Sequence, residues 1–183
     1  MEQLTRIWLH GLTEADEERL CLAIQRMQHL HYLQLGSLPQ GSELGEHTIS
    51  HIQALPNLLK LNLVENAFVG ERLCFVAGFK KLQHLRLRGL SELKEIAIAN
   101  GVMLALEVLT VLRCKELRRL PHGWKHQTHL KRVLLYDVSS ELVESICGKG
   151  TDHLPATPRI LLTRTDDEDE ARIQSKWVHR VVN

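Results

Sequence analysis

Six times along the chain an apolar residue is followed, three and five positions later, by two more. The copies are Leu4-x-x-Ile7-x-Leu9, Leu30-x-x-Leu33-x-Leu35 and Leu58-x-x-Leu61-x-Leu63. They continue as Leu82-x-x-Leu85-x-Leu87, Leu106-x-x-Leu109-x-Val111 and Leu130-x-x-Val133-x-Leu135. Their starts are separated by 26, 28, 24, 24 and 24 residues. No other feature narrows the possible folds as sharply. Alternate residues of a short strand point to opposite faces, so the repeat leucines face one way. One copy cannot bury them, and stacked copies can. The composition agrees, with 34 Leu against 3 Phe, 3 Trp and 2 Tyr in 183 residues. So heavy a reliance on one residue type implies one packing environment used repeatedly.

A period in this range is the mark of leucine-rich repeats. The expected fold is an α/β leucine-rich-repeat solenoid. A curved parallel sheet lines its concave face, with helices and irregular returns on the convex face. Neighbouring parallel strands lie about 4.8 Å apart, so six make a sheet about 24 Å wide. The third copy extends to Asn66 and Phe68, and the fifth carries Cys114 at the Asn position, then Leu117, Leu120 and Pro121. A small polar group there is placed to bond backbone that the strand ladder leaves unpaired. Cys114 is therefore read as structural.

The first return is expected to be a helix. Thr13 caps it, Glu14, Asp16, Glu17 and Glu18 suit the helix dipole, and Leu20, Ile24 and Met27 form its apolar stripe. A second is expected over Glu141 to Cys147, capped by Ser139 or Ser140 and stopped by Gly148, with Leu142 and Ile146 inward. The returns bearing Gly70, Gly78, Gly89 and Gly101 are expected to be irregular or short helical turns. Residues 1–162 form the repeat domain, in which Arg159 to Leu162 can add a last strand. Residues 163–183 form an acidic segment followed by a C-terminal helix with Ile173, Trp177 and Val181 on one stripe. No polar cap precedes the first copy, so further chain is expected upstream.

Lys and Arg total 23 and Asp and Glu 22, which argues against binding driven by phosphate neutralisation. There is no secretory signal, no bilayer-length apolar run, no CxxC and no Asn-x-Ser/Thr sequon. A cytoplasmic setting with reduced thiols follows.

Leu55-Pro56-Asn57-Leu58-Leu59-Lys60-Leu61 with Asn66-Ala67-Phe68 resembles the leucine-rich-repeat region of plant intracellular NLR disease-resistance proteins. So does Leu106-Glu107-Val108-Leu109 with Cys114-Lys115-Glu116-Leu117 and Leu120-Pro121-His122-Gly123. These are the coiled-coil, nucleotide-binding, leucine-rich-repeat receptors, and the resemblance runs from about residue 4 to 147. No GxxxxGK[ST] phosphate loop is present, so the resemblance implies the recognition and autoinhibition region alone.

The residues flanking the inward leucines are expected on the concave side. They are Arg6 and Trp8, Tyr32 and Gln34, Lys60 and Asn62, then His84, Arg86 and Arg88. Val108 and Thr110 follow, then Arg132, Leu134 and Tyr136. The strip is basic through Lys60, Arg86, Arg88, Arg113 and Arg132, with aromatic groups at both ends. Tyr, Trp and Arg are favoured in interface hot spots. The expected partner is a protein with an acidic surface, either a pathogen effector or the receptor's own nucleotide-binding domain. The bland alternative is a solvated polar face without a partner.

No catalytic residue, cofactor, small-molecule substrate, nucleic acid or metal is expected. GxSxG and glycine-rich dinucleotide motifs are absent. His47 and His51 are four apart, and His122, His126 and His129 are spaced by four and three. No acid follows His47 as in HExxH, and Pro121 and Gly123 turn the other stretch, so neither set is expected to hold an ion. The second function considered is an intracellular leucine-rich-repeat scaffold or ubiquitin-ligase substrate receptor. The third is a secreted enzyme inhibitor, against which the missing sequons and cysteine caps argue.

Overall fold

The computed structural model describes residues 5–11, 14–36, 46–121, 127–147 and 159–163. Leu4, the Thr13 cap, the Gly148 stop, His122, His126 and the C-terminal helix expected after residue 163 lie outside the described residues.

In chain order the elements are β1 (Arg6–His10), α1 (Glu14–Arg26), β2 (Tyr32–Gly36), α2 (Glu46–Gln53), β3 (Lys60–Val64) and β4 (Arg72–Phe75). Then come β5 (His84–Arg88), β6 (Glu95–Ile98), β7 (Val108–Leu112), β8 (Arg132–Tyr136), α3 (Ser140–Cys147) and β9 (Arg159–Thr163). Seven strands form one sheet in the order β1-β2-β3-β5-β7-β8-β9. Every pairing in it is parallel. The expected six strands are all present, and β9 adds the seventh.

The register carries the leucine-rich-repeat argument. Ile7, Leu33, Leu61, Leu85, Leu109, Val133 and Ile160 stand opposite one another in a single row. Leu33, Leu61, Leu85 and Leu109 are all at most 1% exposed. Leu35, Leu63, Leu87, Val111 and Leu135 form a second buried row. The returns pack against the inward face of the sheet and close the core around these rows.

The register is held at both strand ends. Just before β1, β2, β3, β5 and β7, one carbonyl accepts two amides from the next repeat. Thr5 O takes His31 N and Tyr32 N, His31 O takes Leu59 N and Lys60 N, and Leu59 O takes Gln83 N and His84 N. Gln83 O and Glu107 O repeat the pattern. Past β1, β3, β5, β7 and β8 the chain turns through positive φ, at Gly11, Glu65, Gly89, Arg113 and Asp137. The amides of Glu65, Gly89 and Arg113 there donate to Arg88 O, Leu112 O and Tyr136 O of the next strand. Non-glycine residues tolerate this strained conformation because the next repeat fixes it.

The polar position of the repeat bonds to neighbouring polar groups, as its chemistry demands. Asn66 Oδ1 accepts from both Ser91 N and Ser91 Oγ at 3.0 Å. Cys114, fully buried, occupies the same position after β7 and donates to Leu112 O at 3.5 Å. Burial pushes its thiol up to about 11, against the smaller opposing effect of the neighbouring Leu90, Leu112 and Gly89 backbone. A thiol that stays protonated is a poor nucleophile, which agrees with a structural role.

The helices cover the far side of the sheet. On α1, Leu20 and Ile24 are buried, and Met27 packs against the same core just beyond it. Ser139, not Ser140, caps α3. Its Oγ accepts from Leu142 N at 3.1 Å and donates to Leu117 O at 2.6 Å, which ties the cap to the preceding repeat.

The second return contains the short helix α2, with Thr48, Ile49, Ile52 and Gln53 buried. The returns bearing Gly70, Gly78, Gly89 and Gly101 differ from the expectation: they contribute β4 and β6, which pair in parallel as a separate two-stranded sheet. Leu73, Phe75, Ile96 and Ile98 turn inward from it, and Arg72 pairs with Glu95 on the outside at 3.6 Å. Alternation over four residues is too short a signal to separate from an irregular turn. Between them Gln53 organises the chain: its Oε1 accepts from Val76 N and Ala77 N, and its own carbonyl accepts from Phe79 N. Gly78 has φ +72° and lies so close that a Cβ would meet Gln53 O at 1.8 Å. Only glycine fits there.

Candidate functional site

The candidate site is the sheet face away from the core, the concave side of the sequence reading. Its three rows follow from the register. The first is Arg6, Tyr32, Lys60, His84, Val108 and Arg132; the second is Trp8, Gln34, Asn62, Arg86, Thr110 and Leu134. The third is His10, Gly36, Val64, Arg88, Leu112 and Tyr136. Every one of the twelve site residues named from the sequence therefore lies on this face. Over these six strands, no Asp or Glu occupies any of the three rows.

At the β1 end, five of those residues form one cluster. The Arg6 guanidinium sits 5.3 Å from the Trp8 ring centre and 5.1 Å from that of Tyr32. The two rings are 5.2 Å apart at 47°. Tyr32 donates its hydroxyl hydrogen to Gln34 Oε1 at 2.9 Å. Asn62 Nδ2 donates to Tyr32 Oη at 2.9 Å and to Gln34 Oε1 at 3.2 Å. Trp8 nonetheless stays 52% exposed. The polar ends are held, and a large aromatic surface is offered to solvent. Little side-chain entropy remains to be lost on binding.

The middle of the face is basic. Lys60 and Arg132 are exposed, with Arg86 and His84 half-buried between them. The field shows in His84. Burial first, and then the Lys60 ammonium, hold its imidazole below the ordinary 6.5; Glu107 opposes this and Arg132 adds to it. Glu107 is itself bound to Lys131 at 3.0 Å, which keeps its carboxyl low and its charge in place. As pH falls, the unfolded chain takes up this proton first, so stability declines from 6.5 down to the folded value and is then level. An NMR titration is expected to place the His84 midpoint below 6.5. Replacing His84 with Gln is expected to remove part of the acid decline in urea midpoint. A midpoint above 6.5 would contradict the basic environment.

Three sequence expectations change. Val108 is 6% exposed and belongs to the packed interior of the face, not to its contact surface. Arg113 lies in the positive-φ turn past β7, outside the rows. Arg88 is on the face, but its Nε lies 3.2 Å from Glu65 Oε1, so part of its charge is already met. Glu65 occupies the turn after β3, one residue beyond the strand, which is why the strand pattern did not reveal it. Acids elsewhere also pair on the returns: Glu71 with Lys94, Asp137 with Lys115 and Glu141 with Arg118. Such exposed pairs add little stability, yet they keep negative charge away from the face.

The register, the leucine rows and the recurring turn define a leucine-rich-repeat solenoid. No family model matches the chain. It is 36% identical over 156 residues to disease resistance protein RPM1 of Arabidopsis thaliana, a match covering 82% of this chain and 16% of that protein. Disease resistance protein RPP8 of the same plant is 33% identical over 103 residues, covering 56% of this chain and 11% of that protein. Disease susceptibility protein LOV1, again of Arabidopsis thaliana, is 34% identical over 109 residues, covering 59% of this chain and 12% of that protein. These relatives are plant disease-resistance proteins, and the chain is similar to an NLR leucine-rich-repeat region. It spans under a fifth of the length of these relatives. Among the described residues, no helix is long and apolar enough to cross a membrane.

Proposed function

We propose that this chain is the protein-recognition and autoregulatory module of a plant innate-immune receptor, acting in defence against pathogens in the cytoplasm. The reading rests on one observation above all: the outward face is basic, with one exposed aromatic cluster and no acid in its rows. Such a face fits an acidic protein surface. The partner is a pathogen effector or the receptor's own nucleotide-binding domain. Action is non-covalent, through unequal affinity for two states of a switch, and uses no catalytic residue or cofactor. The disease-resistance relatives support the setting.

Photo-cross-linking tests the face. A photoreactive residue replaces Thr110, between Arg86 and Leu134 in the second row, or Val76 on the return side, which is 67% exposed. The nucleotide-binding portion of a plant disease resistance protein is supplied in trans. Cross-links are expected from position 110 and not from 76. Capture from 76 alone would move the interface to the returns.

A further inference from the structure

The side of the molecule opposite the proposed docking face brings together three metal-ligating groups that lie far apart in sequence. We propose that Cys21, His47 and His51 form a binding site for a thiophilic divalent cation, of which zinc is the representative.

Cys21 is on α1, and His47 and His51 are one turn apart on the same face of α2. One ligand atom from each lies within 4.8 Å of the other two. Cys21 Sγ is 3.8 Å from His47 Nδ1. Around a tetrahedral zinc ion, a thiolate and an imidazole nitrogen are about 3.6 Å apart, and two nitrogens about 3.4 Å. The cluster thus needs a contraction of about 1 Å, within the reach of side-chain rotation. The two imidazole rings already meet edge to face with centres 4.5 Å apart.

The surroundings prepare each ligand. His51 Nδ1 lies 3.0 Å from the His47 carbonyl oxygen. A carbonyl only accepts, so Nδ1 carries the hydrogen and Nε2 presents its lone pair. This is how metal-bound histidines are usually oriented. The hydroxyl of buried Thr48 lies 3.8 Å from Cys21 Sγ and can donate to a thiolate there. Cys21 itself is 4% exposed and in no disulfide. A bound cation supplies the positive charge that stabilises a thiolate there. On binding, the thiol proton passes to solvent and the sulfur lone pair goes to the metal. One sulfur and two nitrogens favour zinc over magnesium or calcium, which seek oxygen. His47 is exposed, so water can complete the fourth position. The ion would clamp the first two helical returns together.

The test is a cobalt(II) titration of the untagged 183-residue chain after chelator treatment. One equivalent is expected to give a thiolate-to-cobalt charge-transfer band with tetrahedral visible bands, both displaced by zinc. Zinc is also expected to raise the melting temperature. Cys21→Ser is expected to abolish the charge-transfer band. His47→Gln is expected to weaken binding at least about tenfold. Absence of the band in the folded chain would overturn the proposal, as would its survival in Cys21→Ser. If Cys21→Ser fails to fold, the exposed His47→Gln variant decides, and unchanged affinity there overturns it equally.

Discussion

Leu85→Ala is expected to cost about 3–4 kcal/mol of folding stability, near the middle of the range for buried leucines whose cavity does not collapse. Leu85 is 1% exposed, in register with Leu61 on one side and Leu109 on the other. Removing its side chain leaves both neighbouring leucines facing a void. In a stacked repeat, stability is roughly a sum of repeat and interface contributions, so a central defect weakens two interfaces at once. For a chain of this size the loss corresponds to a fall in melting temperature of about 10 °C. Leu22→Ala on α1, where the residue is 55% exposed, is expected to stay within about 0.5 kcal/mol of the unaltered chain. Urea midpoints of the two variants separate the cases. Equal small shifts would mean that Leu85 does not pack in a shared interior.

Most of the sheet was legible in the sequence because one rule governs it. The spacing of Leu33, Leu61, Leu85 and Leu109 fixes which side chains face inward, and the residues between them must then face out. Trp8, Arg86 and Tyr136 were placed by that rule alone. What the rule misses is whatever depends on contacts between repeats. Arg88 looked like an available cation until the turn brought Glu65 beside it. Val108 looked outward-facing by alternation, yet it is buried. The returns β4 and β6 escaped notice because four residues hold too little periodicity, and each is a strand only because the other lies next to it. The proposed metal site likewise depends on a contact between returns that no local spacing reveals. His47 and His51 carried half a ligand pattern, and the third group stands 26 residues before them in sequence, across a packed helix pair.

The proposed docking face depends on its charge, and Lys60, Arg86 and Arg132 supply it in the middle of the sheet. Arg88 is the weaker choice for mutation because Glu65 already answers it. Reversing the three to Glu exchanges attraction for repulsion at positions on three separate strands. At about 1 kcal/mol for each, affinity for an acidic partner surface falls about 100-fold. None of the three is fully buried, so the fold is expected to tolerate the change. Opposite charges also steer association, and that contribution weakens as salt rises. The reversed chain is therefore expected to lose the salt sensitivity along with the affinity. A matched reversal at Lys80, Lys115 and Arg118, which lie on the returns, separates the face from net charge. The direct measurement is the dissociation constant for the nucleotide-binding portion of a plant disease resistance protein, taken at low and physiological salt for all three chains. A loss confined to the Lys60, Arg86 and Arg132 variant is the expected result; unchanged affinity in it, or an equal loss in the return-side control, would contradict docking through the sheet.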